Sequence, residues 1–150
     1  MTERQFTQSV DIAAPVDVVD RCIVSEDTMA LWLNPMLRCE AIGNWSTEVG
    51  SRFQFTLKIP LLAPHLDCVV QERRSGLVVW SFQGFFTGTD RWECRKNTSG
   101  TQLLNQFTFE IPTPLVRVGF DLVAARLTQR DMQAQLVRLK SIAEELHRKR

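Results

Sequence analysis

Few polar side chains in this sequence lie at positions where they could contact a bound molecule. Asn105 is the most informative of them. Alternation over residues 101–111 places Asn105 on the same side as Leu103 and Phe107. A buried amide must be hydrogen-bonded, because leaving it unpaired costs ~1–3 kcal/mol. Asn105 is therefore predicted to orient a ligand carbonyl, or else to bond a neighbouring strand or a water molecule.

A few other positions carry side chains of a reactive type. Arg91 and Glu93 fall on the side opposite Trp92, which predicts a solvated pair across neighbouring strands. If the sides were reversed, Arg91 would be the best candidate to polarise a carbonyl group. His65 falls in a loop region and is expected to be exposed rather than to act as a general base. Cys94 would be a nucleophile only beside an activating base, and the sequence shows none.

The sequence contains no motif of a known catalytic or metal centre. There is no Ser-His-Asp set, paired-carboxylate signature or glycine-rich phosphate loop. The 4 cysteines are far apart and only 2 histidines are present, whereas a zinc site needs paired ligands. We expect no metal and no cofactor, and the catalytic residues stay unknown. The cysteines, expected as buried or half-buried thiols, are Cys22, Cys39, Cys68 and Cys94.

The elements that would position these residues follow from hydrophobic periodicity. Alternation from Phe6 to Ile12 predicts a strand with one wet face. Residues 16–24 read as a short helix, and Asp27-Thr28 would cap a second one ending at Trp32. Short glycine-containing turns then separate further strands, which predicts an antiparallel meander. These strands cover residues 37–45, 52–59, 67–74, 77–86, 90–96 and 101–111, with turns at 75–76, 87–88 and 97–100.

A long amphipathic helix is predicted to close the chain. Thr113-Pro114 is a capping residue followed by proline at the first helical position. The helix would run for ~33 residues and ~50 Å at about 1.5 Å per residue. Strands collected before a helix favour an α+β fold. The apolar stripe, in steps of three and four, comprises Val116, Phe120, Val123, Leu127, Met132, Leu136, Leu139, Ala143 and Leu146.

Composition limits the class of protein. The chain has 150 residues, 44% of them apolar and 23% charged, which fits one globular domain spanning residues 1–150. A net charge of +1 gives no general field for binding nucleic acid. The sequence has no stretch of about 18 consecutive apolar residues and no signal-peptide pattern, so we expect no stable membrane insertion and a cytoplasmic location. The oligomeric state is left unknown.

The predicted elements pose a packing problem. One helix about 10 Å across is too slim to fill the concave face of a broad sheet along its whole length. A cavity would then remain between helix and sheet, unless large side chains fill it. Residues on the inward rows are candidates for ligand contact, although for any single one of them a purely structural role in the core is favoured. The predicted ligand-binding residues are Phe55, Trp80, Phe82, Trp92, Asn105, Phe107, Phe120 and Val123.

Several segments, in this order and spacing, carry a family resemblance. They are Val10-Asp-Ile-Ala-Ala-Pro15, Gly50-Ser-Arg-Phe53, Leu77-Val-Val-Trp80, Gly88-Thr-Asp-Arg-Trp92 and the closing stretch 131–144. Together they resemble the SRPBCC (START-like) superfamily and, within it, the polyketide cyclase/dehydrase group. The resemblance implies a helix-grip fold, in which a curved antiparallel sheet of about seven strands wraps around a long C-terminal helix, with two short helices after the first strand. It also implies a cavity for hydrophobic ligands such as lipids, quinones or polyketides.

Three functional hypotheses remain open, because this fold hosts carriers and enzymes alike. The first is a module that binds a small hydrophobic ligand (a lipid, quinone or polyketide-like molecule). The second is a cyclase or dehydratase acting on a polyketide-like substrate, with Asn105 or Arg91 as the residue to test. Enzymes of the resembled group use polar pocket residues, in which this predicted pocket is poor. The third is a structural protein with a packed core, favoured if no cavity of several hundred Å³ exists.

Overall fold

A computed structural model describes residues 3–61, 63–84, 86–110 and 129–150. Strand β1 (Arg4–Ile12) leads into two short helices, α1 (Val16–Val24) and α2 (Glu26–Trp32). Six strands and a C-terminal helix follow, which confirms the predicted order within these ranges. They are β2 (Leu37–Ala41), β3 (Arg52–Leu57), β4 (His65–Arg74), β5 (Leu77–Gly84), β6 (Thr87–Asn97), β7 (Gly100–Glu110) and α3 (Gln129–Arg148).

The seven strands form one antiparallel sheet in the order β1-β7-β6-β5-β4-β3-β2. This is the predicted meander from β2 to β7, with β1 added beside β7. The register between β4 and β5 shifts between Val70 and Glu72. An irregularity of this kind bends a strand. The sheet curls as a half-barrel towards α3, which confirms the predicted α+β helix-grip architecture.

Helix α3 packs its apolar stripe against the sheet. Leu136, Leu139 and Ala143 are each 0% exposed, as the three-and-four spacing predicted. Leu146 was expected on the same stripe, but it is 39% exposed, because it lies in the last turn beyond the packed contacts. The predicted first half of this helix, from Thr113-Pro114 to residue 128, lies outside the described residues.

Polar contacts fix α3 to the beginning of the chain. Lys140 Nζ donates to the carbonyl oxygen of Asp11 at 2.8 Å, and Glu144 Oε2 accepts from the backbone amide of Ala13 at 2.8 Å. On another part of the helix, Arg138 Nε donates to the carbonyl oxygen of Trp32 at 3.0 Å. These bonds hold α3 against the end of β1 and the end of α2.

A half-buried ion pair ties α1 to the β4–β5 hairpin. Arg73 Nη1 and Nη2 donate to Asp20 Oδ1 and Oδ2 at 2.7 and 2.9 Å. The backbone amide of Gly76, in the hairpin turn, also donates to Asp20 Oδ1 at 3.0 Å. The two side chains are only 16% and 15% exposed, so this two-point contact is shielded from water.

Two predicted local features are wrong for identifiable reasons. Ser25, not Asp27-Thr28, precedes α2, and Thr28 Oγ1 instead donates to the carbonyl oxygen of Cys22 at 2.7 Å. Thr87 and Gly88 belong to β6 and do not form a turn. A Cβ atom on Gly88 would lie 1.9 Å from the carbonyl oxygen of Thr108. Glycine is required there by the close approach of β7, a contact that sequence reading mistook for a turn.

Several strand boundaries also differ from the prediction. Strand β2 ends at Ala41 and β3 ends at Leu57. Trp45, predicted at the end of β2, lies after the strand, where its Nε1 donates to the carbonyl oxygen of Val24 at 2.9 Å. His65 is the first residue of β4 rather than part of the preceding loop, and it is exposed, as expected.

Candidate ligand cavity

A cavity of about 70 Å³ lies between the sheet, the end of α2 and the first turns of α3. Most of its wall is aromatic or aliphatic, and each of the strands from β2 to β7 contributes to it. Three polar residues, Asn34, Asp90 and Gln135, also line it. The apolar lining consists of Trp32, Leu33, Leu37, Phe55, Leu66, Trp80, Phe82, Phe86, Trp92, Phe107 and Met132.

Aromatic rings occupy much of the hollow between sheet and helix. The ring centroids of Trp32 and Trp92 are 5.0 Å apart, and those of Trp80 and Trp92 are 6.4 Å apart. Phe82 and Phe107 stack with centroids 5.0 Å apart and an interplanar angle of 13°. The resulting cavity is smaller than the several hundred Å³ expected for a small-molecule site. By the criterion set above, this volume favours the packed-core hypothesis for the space that the described residues enclose, and it counts against a large ligand held entirely by them.

The loop that follows α2 is fixed at the cavity wall by side-chain amides. The backbone amide of Asn34 donates to Gln135 Oε1 at 2.7 Å, which joins the end of α2 to α3. Asn34 Oδ1 in turn accepts from the backbone amide of Met36 at 2.9 Å. Two of the three polar lining residues therefore already serve the local structure. Asp90 is the third.

Asp90 is a buried carboxyl group in this apolar wall, with 8% of its surface exposed. Asn105 Nδ2 donates to Asp90 Oδ1 at 2.7 Å and also to the carbonyl oxygen of Arg91 at 3.2 Å. Burial raises the pKa of Asp90 from 3.8 to about 7, and the hydrogen bond from Asn105, together with the nearby Trp92 N–H, offsets only part of that effect. The carboxyl group is therefore divided between neutral and ionised forms near neutral pH.

Unpaired polar atoms surround this carboxyl group. Trp92 Nε1 lies close enough to Asp90 to favour ionisation, yet its N–H does not reach hydrogen-bond geometry with any described residue. Asn105 Oδ1 is likewise buried with no partner in the described part of the chain. The same holds for both amide atoms of Gln8, which lies directly opposite Asn105 in the β1–β7 register. Such groups are rare in folded proteins and call for a functional or structural reason.

The structure brings together five of the eight residues predicted to contact a ligand. Phe55, Trp80, Phe82, Trp92 and Phe107 all line the cavity. Their contact with a ligand stays a prediction. The remaining three are Asn105, which is buried but does not line the cavity, and Phe120 and Val123, which lie outside the described residues.

Three partners were left open for Asn105: a ligand carbonyl, a neighbouring strand or a water molecule. Its two described donor bonds support the neighbouring strand. Both of its donor contacts go to β6, one to the Asp90 side chain and one to the Arg91 backbone. Only its side-chain oxygen is left unpaired by the described residues. Asn105 therefore acts on the cavity through Asp90, whose carboxyl group it holds in place.

The other chemical candidates lie away from the cavity. Arg91 and Glu93 are on the outer face, as the alternation predicted, which removes Arg91 as a group that polarises a bound carbonyl. Their pairing was predicted across strands, but Arg91 Nη2 contacts Glu93 Oε1 at 3.1 Å along the same strand, and Arg95 joins on its other side. His65 does not line the cavity either.

The cysteines are unsuited to nucleophilic attack. Burial raises the pKa of Cys94 to about 12, so its thiolate is scarce at neutral pH. Burial also raises the pKa values of Cys22 and Cys39, to about 11 and about 12, and that of Cys68 still further. Within the described ranges no cluster of three His, Cys, Asp or Glu side chains is arranged to hold a metal ion. Nor does any described helix have the length and apolarity to cross a membrane.

Sequence reasoning missed nine of the described lining residues, and Asp90 is the only one of these that can ionise. It lies two positions before Trp92, so the same alternation that turned Trp92 inward also turns Asp90 inward. The misassigned turn at Thr87-Gly88 made Asp90 look like a strand end, where an aspartate is unremarkable. A carboxyl group inside a row of aromatic residues was the available signal.

Solved structures share this fold at low sequence identity. An aromatase/cyclase, ZhuI from Streptomyces sp. R1128, superposes with a TM-score of 0.72 at 13% identity, covering 96% of this chain and 95% of its own. Protein CV1439 from Chromobacterium violaceum gives 0.72 at 14% identity, covering 93% and 97%. Protein TTHA0849 from Thermus thermophilus gives 0.71 at 13% identity, covering 97% and 99%. At sequence identities this low, the structural similarity shows a shared fold only.

Sequence comparison identifies a family. The model of the polyketide cyclase/dehydrase and lipid transport family matches residues 3–144, which is nearly the whole chain. No curated protein matches the sequence significantly. The family match spans β1 through most of α3 and therefore includes every described residue of the cavity wall.

Proposed function

Because the chain belongs to the polyketide cyclase/dehydrase and lipid transport family, we propose that it binds a small, largely apolar molecule between the sheet and α3. The observation that carries this proposal is the aromatic-lined cavity with a single buried carboxyl group, Asp90, in its wall. The family description names polyketides and lipids, and the aromatic lining would equally suit a quinone.

The physical basis of binding is burial of apolar surface. Each Å² of apolar surface removed from water contributes about 25 cal/mol, so an aromatic wall provides affinity without many polar contacts. An apolar cavity of roughly 150 Å³ holds benzene. The described cavity of about 70 Å³ is smaller, so the described residues enclose only the end group of a ligand, such as the acetyl group of an aromatic ketone.

A displacement assay tests this proposal. The purified protein is titrated with N-phenyl-1-naphthylamine, a neutral fluorescent probe, and the probe is then displaced with fatty acids, menadione or aromatic ketones. Trp32, Trp80 and Trp92 line the cavity, so quenching of tryptophan fluorescence gives an independent signal. We expect saturable binding by both readouts.

A matched pair of variants locates the binding site. Phe82→Trp adds volume to the cavity wall, and Phe53→Trp adds the same volume at a buried phenylalanine that does not line the cavity. We expect Phe82→Trp to weaken binding about tenfold or more, equivalent to about 1.4 kcal/mol, and Phe53→Trp to change it little. Thermal denaturation verifies that both are folded. Absence of binding to any probe or ligand, or equal effects of the two variants, would refute the proposal.

Acid–base catalysis is the second candidate function, and Asp90 is the observation that favours it. A general acid or base works best when its pKa is near the working pH, and burial raises the pKa of Asp90 to about 7. The group lines a mostly aromatic cavity, and only 8% of its surface is exposed. A cyclase or dehydratase requires such a group to move protons next to a carbonyl.

Proton exchange tests this second candidate without knowledge of the natural substrate. Methyl protons of acetophenone exchange with D₂O when its enol forms, and ¹H NMR follows their loss. If Asp90 acts as a general base, the wild-type protein accelerates exchange and Asp90→Asn does not. Glu93→Gln, on the outer face, serves as the control. Equal rates with wild type and Asp90→Asn would reject the catalytic role for this class of ketone.

Other properties expected from the sequence stay predictions. A single domain spanning residues 1–150 and the lack of nucleic-acid binding are expected from length, composition and net charge, and a cytoplasmic location from the lack of a long apolar stretch. The net charge of +1 is consistent with a neutral or apolar partner.

A further inference from the structure

We propose that Asp90 is the polar anchor of the cavity and receives the carbonyl oxygen at the end of an otherwise apolar ligand, with Trp92 Nε1 as a second donor. This inference rests on the proposed ligand-binding function and adds a ligand class to it: ketones and quinones rather than hydrocarbons or amines. The position of Asp90, the bonds that hold it and the donor left beside it all support this choice.

Asp90 is the only ionisable side chain among the described residues that line the cavity. Its neighbours on the wall are aromatic or aliphatic, apart from the neutral amides Asn34 and Gln135. Gln135 Oε1 is occupied by the backbone amide of Asn34. A ligand that enters this cavity with one polar group therefore meets Asp90 as its principal partner.

The hydrogen bonds around Asp90 fix its orientation. Asn105 Nδ2 holds Oδ1 at 2.7 Å from behind the wall, and Asn105 itself does not line the cavity. Asn105 therefore supports the carboxyl group from the side away from a ligand. A neutral carboxyl group carries one O–H donor in addition to its acceptor oxygens, and donation to a ligand oxygen uses that proton.

An unused donor lies beside the carboxyl group. Trp92 Nε1 is buried with no hydrogen-bond partner among the described residues, and Trp92 lines the same cavity. The indole N–H can only donate, so it suits an acceptor such as a carbonyl oxygen and not an ammonium group. A second donor next to the carboxyl group would add to the polarisation of a carbonyl that the carboxyl group holds.

The protonation state of Asp90 supports this choice of ligand. Burial raises its pKa to about 7, so a large share of the protein carries the neutral, donating form at neutral pH. From β4, the nearby Cys68 thiol also has a raised pKa and stays neutral. Asn34 and Gln135 face the cavity from the α2 end and from α3 and carry no charge. We therefore expect carbonyl binding to weaken as pH rises through about 7.

Three probes of nearly equal shape test the inference. They are acetophenone, α-methylstyrene and 1-phenylethylamine, which carry C=O, C=CH₂ and a cationic amine on the same ring. Their affinities for the wild-type protein are measured at pH 6 by tryptophan fluorescence. We expect acetophenone to bind about tenfold more tightly than α-methylstyrene, the ratio that one additional hydrogen bond typically provides.

Spectroscopy identifies the contact directly. With acetophenone labelled at its carbonyl carbon, the ¹³C resonance should move downfield on binding, because hydrogen-bond donation polarises the carbonyl. Asp90→Leu should abolish both this shift and the preference for the ketone, while binding of α-methylstyrene persists. Asp90→Asn keeps an N–H donor and should retain part of the preference, and Glu93→Gln should behave as wild type.

The outcomes separate this inference from the function on which it depends. If none of the three probes binds, the proposed ligand binding itself fails for molecules of this size. If acetophenone and α-methylstyrene bind equally with no carbonyl shift, the cavity binds ligands but Asp90 is not a carbonyl anchor. Tighter binding of 1-phenylethylamine would overturn the inference in favour of a cation site. A ketone preference unchanged in a folded Asp90→Leu protein would likewise overturn it.

Discussion

Asn105 Nδ2 donates to Asp90 Oδ1 at 2.7 Å along a diagonal of the β6–β7 pair. In the register, Asn105 is directly opposite Trp92, and Asp90 is directly opposite Phe107. The amide thus reaches across the ladder to hold a carboxyl group that lies between aromatic side chains. This contact links the interior of the sheet to the cavity wall. The protonation of Asp90 therefore depends on the pairing of β6 with β7, which brings Asn105 to the carboxyl group.

The first prediction concerns how stability depends on pH. Because the pKa of Asp90 is raised to about 7 on folding, the native state retains a proton that the unfolded chain releases near pH 4. The stabilising effect of that proton is complete below about pH 4 and is lost as pH rises through about 7. Between these values, wild type should lose on the order of 4 kcal/mol relative to Asp90→Asn.

Urea denaturation of both proteins over this pH range measures the difference in unfolding free energy. Glu72→Gln, which removes an exposed carboxyl group from β4, is the control and should follow wild type closely. Parallel curves for wild type and Asp90→Asn would show that Asp90 is ionised throughout and would contradict the prediction.

The second prediction concerns the role of Asn105. Its hydrogen bond favours the ionised form of Asp90, so Asn105→Leu should raise the pKa of Asp90 further. The carboxyl ¹³C resonance of Asp90, followed by NMR titration, measures this change. Gln106→Leu, a neighbouring change on the outer face of β7, should leave that pKa as it is. A lowered or unchanged value in Asn105→Leu would disprove the supporting role.

The third prediction concerns the ion pair between α1 and the β4–β5 hairpin. Asp20→Asn removes the charge that accepts two bonds from Arg73, and it should destabilise the protein by about 2 kcal/mol, because both groups are mostly shielded from water. Glu40→Gln is the control, since the Arg38–Glu40 pair has both side chains 58% exposed. It should cost at most about 0.5 kcal/mol by chemical denaturation. Equal costs would show that the shielding is unimportant.

The fourth prediction concerns Gly88. A Cβ atom there would meet the carbonyl oxygen of Thr108 at 1.9 Å, so Gly88→Ala must push β6 and β7 apart. We expect a loss of at least about 2 kcal/mol in unfolding free energy. The same change at an exposed neighbour, Thr87→Ala, should have a small effect. If the two alanine variants unfolded alike, the close contact would not exist in solution.

The order of elements was predictable because each type of element has its own period. Alternation identified the inner rows of β3, β5 and β7, and steps of three and four identified Leu136 and Leu139 on α3. The ends of the strands were less predictable, because apolar residues continue beyond the last backbone hydrogen bond between neighbouring strands. Trp45, for example, is apolar and packs against the core, but it lies in the connection after β2.

The residues of the cavity wall could be predicted only in part, because alternation along a strand gives the direction of a side chain but not its packing. Alternation shows which side chains face inward, and it correctly grouped Trp80, Phe82 and Trp92. It does not show how completely inward rings fill the space, which depends on rotamers and on the curl of the sheet. Nor did it show that Gly88 serves a close strand contact, and that single misreading hid Asp90.

The four cysteines can serve as natural probes of local opening in this fold. Each thiol has a raised pKa and lies on a different element, namely α1, β2, β4 or β6. Alkylating reagents attack the thiolate, so modification must wait until a segment opens and its thiol meets water. The order in which Cys22, Cys39, Cys68 and Cys94 become labelled would then rank the opening frequencies of these four segments, with no probe added to the protein.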